Sequence, residues 1–248
     1  MGNEVSVFGG KVDIADMKSL AQRAQVSASN TARGGAPGGS DYMNFSGKRG
    51  VYTIGQEKRR IENDERWVVD ITSFEEGWVC WKGGQSPSSR MANIYNGVPI
   101  PQPDPDELGP FDTQKGDGWF AGKAMVLKSC DEDQQGYFKI NSVSGVSSMS
   151  ELMEEFAERA NAGLPAWPVV CLDMEEFESQ GFKNFKPIFD VQGWLSNEQL
   201  QELADGADIN DLLEAADDSA EPDGMNPPTK EDKPKAAAKP AGRRRARA

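Results

Sequence analysis

From Tyr42 to Leu195 the chain is a succession of short aromatic and β-branched runs punctuated by Gly, Ser and Asp, and one helical repeat interrupts them. No other feature narrows the possible folds as much. The runs at residues 43–54, 66–71, 77–82, 119–130 and 136–142 are rich in Tyr, Phe, Trp, Val and Ile, which is the composition of strands. Residues 86–118 include PIPQPDPDELGP, whose prolines lack the N–H that a central strand needs, so a long loop is expected there. Ser148 and Glu151 then form the S-x-x-E of a capping box, ahead of Leu152, Met153, Phe156, Ala157 and Ala160 on one helical face. Ala162-Gly163-Leu164-Pro165 stops that helix, and strands at 168–173 and 186–194 follow.

The order is therefore several strands, one helix and two strands. A small closed barrel that admits a helix between its third and fourth strands is the OB-fold. The expected class is mainly β, an OB-fold-like β-barrel over residues 41–195 with flexible N- and C-terminal tails. An α+β sandwich with the same order is the alternative, because periodicity does not settle closure. Residues 1–40 are an arm, in which Asp13 caps a short helix carrying Ile14, Met17, Leu20 and Ala21, and GGAPGGS is a linker by composition. Residues 196–226 hold ten acidic side chains and no basic one, and Leu200, Leu203, Ile209, Leu212 and Leu213 form a thin apolar stripe, so one or two short amphipathic helices are expected there. Residues 227–248 form a basic tail of the composition that stays disordered.

The 248 residues include no histidine, which excludes Ser-His and Cys-His nucleophile pairs and any His-containing zinc site. Cys80, Cys130 and Cys171 lie far apart without a CxxC, so neither a zinc knuckle nor a disulfide framework is implied and a reducing, cytoplasmic location is expected. The opening MGNEVSVFGG has no secretory signature, and no stretch approaches the roughly 18 apolar residues of a membrane span. MGNEVS loosely matches a myristoylation pattern, but no polybasic neighbour supports a membrane role.

The densest functional signal lies in residues 42–82. YMNFSGKRGVYTIGQEKRR sets Tyr42, Phe45 and Tyr52 among Lys48, Arg49, Lys58, Arg59 and Arg60, with Glu57 as the single acid. The surrounding region is acidic: residues 41–200 carry 15 basic and 26 acidic side chains. GWVCWK adds Trp78 and Trp81, read as sharing one strand face across Val79, and Lys82 at the strand end. Trp119 follows a GDG turn, and Lys123 lies in the same strand without an acidic neighbour. Tyr137 and Lys139 share one face while Phe138 and Ile140 turn inward.

Aromatic rings beside bases on strands have the composition of a single-stranded nucleic-acid platform, where bases stack on rings and Lys or Arg neutralise phosphates. Stacking is assigned to Tyr52, Trp78, Trp81 and Trp119. Phosphate contact is assigned to Lys48, Arg49, Lys58, Arg59, Arg60, Lys82 and Lys123. Tryptophans in strands also serve as core, and basic turns also serve as solvated surface, so both roles stay open at this point.

Asp104 and Asp106 in the Pro-rich loop, and Asp131-Glu132-Asp133 in a turn, are acidic groupings that a Mg²⁺ site would draw on if two of them converged, and turns are Asp-rich for backbone reasons alone. SGKRG lacks the GxxxxGK[ST] of a phosphate loop. No catalytic residue, metal or cofactor is assigned. The acidic segment suits either a solubilising tail or a backbone mimic that competes for a basic groove until nucleic acid displaces it.

The ordered blocks SGKRGVYTIG, SFEEGWVCWKGG, DGWFAGKAMVLKSCDEDQQGYFKINSVSG, PVVCLDMEEF and KPIFDVQGW resemble bacteriophage OB-fold single-stranded DNA-binding proteins of replication and recombination. The resemblance spans residues 41–195. It implies an OB-type barrel, DNA coating without catalysis, action in the host cytoplasm, and replication or recombination partners recruited through the C-terminal segment. Such proteins often end in an acidic tail, whereas this chain ends in RRRARA. Two rivals belong to other classes: a virion or assembly protein acting through protein contacts, and a carboxylate-dependent nuclease. Oligomeric state is open.

Overall fold

The structure, a computed structural model, describes residues 40–95, 98–179 and 181–219. The helix expected after Asp13, its linker and the basic tail lie outside the described residues.

Nine strands form one sheet among the described residues. They are β1 (Asp41–Ser46), β2 (Val51–Ile54), β3 (Arg59–Arg60), β4 (Arg66–Lys82), β5 (Gln85–Asn93), β6 (Gly118–Ser129), β7 (Gln135–Ile140), β8 (Trp167–Ser179) and β9 (Phe182–Leu195). Their order is β3-β2-β1-β7-β6-β4-β8-β9, with β5 added on β4, and only β1 with β7 pairs in parallel. The architecture is mainly β, a strongly curled half-barrel sheet with few helices. Helix α1 (Val143–Ala162) follows the seventh strand and packs on the inner face.

The inner face is the core. Met43, Ile54, Trp67, Met125, Leu127 and Phe138 from the sheet meet Met149, Leu152, Met153, Phe156 and Ala157 from α1. Each Leu, Ile, Met or Phe among them contributes about 1.5–3 kcal/mol on burial.

Several segments differ from the sequence expectation. Residues 43–54 are a hairpin rather than one strand, because SGKRG turns back between β1 and β2. The two strands expected at 66–71 and 77–82 are a single 17-residue strand, β4. Its polar middle holds hydrogen bonds instead of ending the strand: Asp70 accepts from the Thr72 N–H and hydroxyl at 2.9 and 2.6 Å, and the Val126 N–H donates to the Ser73 hydroxyl at 2.7 Å.

Part of the expected long loop is β5. Gly83 and Gly84 have φ of 58° and 77°, the positive values that a tight hairpin turn requires at both central positions. Pro87 fits because Cys80 faces Ser88 while Lys82 faces Gln85, which leaves one extra residue bulged out of β5. Helix α1 begins five residues before Ser148. Ser142 is its true cap, accepting from the Gly145 N–H at 3.2 Å, and Ser148 turns inward to donate to the Ser144 carbonyl at 3.1 Å.

The acidic segment forms short amphipathic helices over its described part, as its apolar stripe predicts, but they are packed on the sheet domain rather than held as a free tail. Helices α2 (Asn197–Ala204) and α3 (Ile209–Ser219) dock on the core through buried Leu200, Ile209 and Leu212. Ser196 and Gln199 form a reciprocal capping box, and Gln199 Nε2 donates to the Leu212 carbonyl at 2.9 Å. The packed unit therefore runs past Leu195, because this apolar stripe finds a partner surface.

The first and last hairpins meet at a seam. The Phe185 N–H donates to the Gly47 carbonyl at 2.8 Å. Tyr52 reaches across with its hydroxyl to the carbonyl oxygens of Asp173 at 3.1 Å and Ile188 at 3.4 Å.

Candidate nucleic-acid interface

On the face of β3-β2-β1-β7 opposite the core, Tyr42, Asn44 and Arg60 are exposed, while Tyr137 of β7 is buried in a second small cluster with Ala124 and Val126. Register places Arg60 beside Thr53 and Thr53 beside Asn44. Lys139 lies one position after Phe138, the partner of Met43, and so continues that row. Three strand spacings make the row about 14 Å wide, with a cation at either end. Tyr42 stands on the same face, 58% exposed, edge-on to Tyr137 with ring centroids 6.0 Å apart. The Tyr137 hydroxyl donates to Glu75 at 2.7 Å. Burial holds the Glu75 carboxyl above its ordinary range, against the Tyr137 hydrogen bond and the Lys139 charge.

Tyr42 lies outside the set Tyr52, Trp78, Trp81 and Trp119 to which the sequence assigns stacking. Its alternation with Met43, which is buried, is the period-2 signal that marks it as outward.

Three predicted cations flank this face. Lys48 and Arg49 sit on the β1–β2 turn and Lys58 on the β2–β3 turn, all exposed and without a carboxylate partner among the described residues. Arg59 is tied down and Arg60 is not. Arg59 donates to both Glu65 oxygens at 2.8 and 3.0 Å and to Gln134 at 2.8 Å, and the Glu65 hydrogen bond raises its pKa. Arg60 lies 3.7 Å from Glu62, both largely exposed, a pairing that contributes little.

Two assigned residues belong to the interior. Tyr52 is 3% exposed, packed on Phe45 and Phe138 at 4.7 and 5.8 Å, so its ring offers no face to a base. Lys123 is fully buried, 3.8 Å from Glu76 and 3.7 Å from the Met153 sulfur. Burial pushes its pKa down to about 8, with Glu76 and Glu154 opposing. A base in a strand reads as exposed from sequence alone; here the partner that lets it be buried comes from β4.

The two indoles of GWVCWK do not share a face, because strand residues three apart point to opposite sides. Trp78 lies across from Arg90 and donates to the Ile100 carbonyl at 3.4 Å. Trp81 pairs with Gly118 and keeps its indole N–H buried.

Trp78 joins a second cluster instead. The Arg90 guanidinium lies over the Trp119 ring at 5.0 Å, and Lys82 Nζ is 5.9 Å from the centre of the Phe111 ring. Residues 98–111 cross this cluster as a strap. Trp119 Nε1 donates to the Glu107 carbonyl at 2.9 Å, Lys82 donates to the Leu108 and Gly109 carbonyls at 2.7 and 3.1 Å, and Arg90 pairs with the Glu107 carboxylate.

The acid triplet Asp131-Glu132-Asp133 lines a cleft of about 400 Å³ against Leu203 and Ala204. Among the described residues no three Cys, Asp or Glu side chains converge as a metal site requires. Cys80, Cys130 and Cys171 are free thiols whose pKa values burial pushes up. No helix among the described residues is long and apolar enough to cross a membrane.

Comparison of the chain with protein-family models, with curated proteins and with solved structures yields no match.

Proposed function

We propose that the chain is a single-stranded DNA-binding protein of the phage replication and recombination kind, coating DNA without sequence specificity or catalysis in the host cytoplasm. On this reading the curled sheet is an OB-type barrel elaborated by extra strands. The observation that carries it is the trio Lys48, Arg49 and Lys58, exposed on an acidic domain without a carboxylate partner among the described residues and set on the turns beside the Tyr42 face.

A base stacked on Tyr42 contributes on the order of 1–3 kcal/mol. Phosphates of the same strand meet Arg60, Lys139 and the three turn cations, and each neutralised phosphate releases counterions, so affinity falls steeply with salt. A duplex hides its base faces, which leaves only the phosphate term. The C-terminal segment recruits replication or recombination proteins.

Titration of labelled oligo-dT against a duplex of equal length tests this. Preference for the single strand that fades with salt is expected; equal affinity, or no binding at low salt, removes the proposal. A protein-contact role has one feature in its favour, the 71% exposed Phe182 at the tip of the β8–β9 hairpin.

A further inference from the structure

We infer that Trp78, Arg90, Trp119 and Lys82 form a second single-strand subsite, and that residues 98–111 are its built-in competitor, displaced when the strand arrives. This rests on the single-stranded DNA reading above and extends it to a regulated site.

The contacts across this cluster run in one chemical direction. The ribbon of β4, β5 and β6 supplies donors: two indole N–H groups, an ammonium and a guanidinium. The strap supplies oxygens: the carbonyls of Ile100, Glu107, Leu108 and Gly109, and the Glu107 carboxylate. A nucleic-acid strand offers the same inventory, with phosphate oxygens for the cations and base carbonyls for the N–H groups. The strap also matches a strand in charge, since residues 98–111 carry Asp104, Asp106 and Glu107 and no basic side chain.

The cluster beneath is arranged for a stacked base. Arg90 over Trp119 is a cation–π pair, and both Trp78 and Trp119 stay half-buried under the strap. Lifting the strap bares two indole rings flanked by two cations within one ribbon, the composition of a stacking platform.

The strap is also built to leave. Of residues 98–111 only Pro103 is buried, and five are prolines, which give the segment no N–H at those positions with which to join the sheet. Leu108 has φ of 68°, a left-handed conformation that a branched side chain disfavours, and its carbonyl is one of the two that hold Lys82. Departure therefore costs side-chain contacts that DNA replaces, and it relieves a strained residue.

A competitor that occupies the site most of the time lowers apparent affinity by the fraction of open molecules. Glu107→Gln in the full chain removes the carboxylate from Arg90 and leaves every donor in place. Oligo-dT titration at low salt is expected to show this variant binding about fivefold tighter than the wild type. Adding Trp119→Phe is expected to abolish that gain. Cleavage of the wild-type chain after Glu107 by a Glu-specific protease is expected to speed up on saturation with oligo-dT. Equal affinity of wild type and Glu107→Gln, with cleavage indifferent to DNA, overturns the strap as competitor and leaves the Tyr42 face as the binding surface. Absence of binding by either protein overturns both readings.

Discussion

The hydroxyl of Tyr52 donates to the main-chain carbonyl of Asp173 at 3.1 Å, across 121 residues of sequence. That bond, with the Phe185 N–H on Gly47, joins the hairpin that starts the sheet to the hairpin that ends it. Its ring is wedged between Phe45 and Phe138, and burial pushes the phenol pKa far up, so the group stays a neutral donor.

Tyr52→Phe keeps the ring and loses the donor, leaving two carbonyls with one partner fewer. A loss of about 1 kcal/mol in urea unfolding is expected. Tyr52→Ala empties the site and is expected to cost about 3–5 kcal/mol. Oligo-dT affinity of Tyr52→Phe should match the wild type; a large drop would mean that the ring meets bases after all.

Gly50 turns the first hairpin under the last one, with φ of 61°. A Cβ there would lie 2.2 Å from the Met174 sulfur and 2.8 Å from the Phe185 ring. Gly50→Ala therefore combines a left-handed penalty with overpacking, and a loss of about 2–3 kcal/mol is expected in thermal or urea unfolding.

Asp70 is buried, and burial raises its pKa to about 6 against the hydrogen bonds from Thr72 and Ser73. The folded state then binds more protons than the unfolded one between about pH 4 and 6. Its contribution to stability accordingly falls as pH rises through that window. Asp70→Asn does not titrate, so its stability relative to wild type should improve from pH 4 to pH 7 by about 2 kcal/mol. A difference that stays flat with pH contradicts this.

Replacing Lys48, Arg49 and Lys58 together by Ala should leave unfolding within about 0.5 kcal/mol of wild type, since all three are exposed and none has a carboxylate partner among the described residues. In oligo-dT titrations the slope of log affinity against log salt should fall by about 2. Tyr42→Ala should weaken binding by about 1–3 kcal/mol with little change in that slope. The two variants thus separate stacking from charge.

Local chemistry made parts of the fold legible. The face Leu152, Met153, Phe156 and Ala157 reads as helix because its partners recur every turn, and all four are buried. Phe138 and Ile140 turn inward as alternation demands. The prolines after Ser86 masked β5, although the Gly83-Gly84 pair before it was a hairpin signal. The candidate site was harder, because the fate of a strand residue depends on what stands opposite. Tyr52 and Trp78 are both aromatic strand residues near bases, yet one is fixed by Asp173 and the other by the strap at Ile100. Arg59 and Lys58 are sequence neighbours, and only Arg59 finds Glu65.

The seam between the terminal hairpins also sets the timing of biosynthesis. Phe45 and Tyr52 leave the ribosome more than a hundred residues before Asp173 and Phe185, the groups that cover and bond them. At ordinary rates of translation that interval is on the order of ten seconds. The first hairpin spends it with its aromatic side uncovered, and the sheet is completed only when the last strand is released.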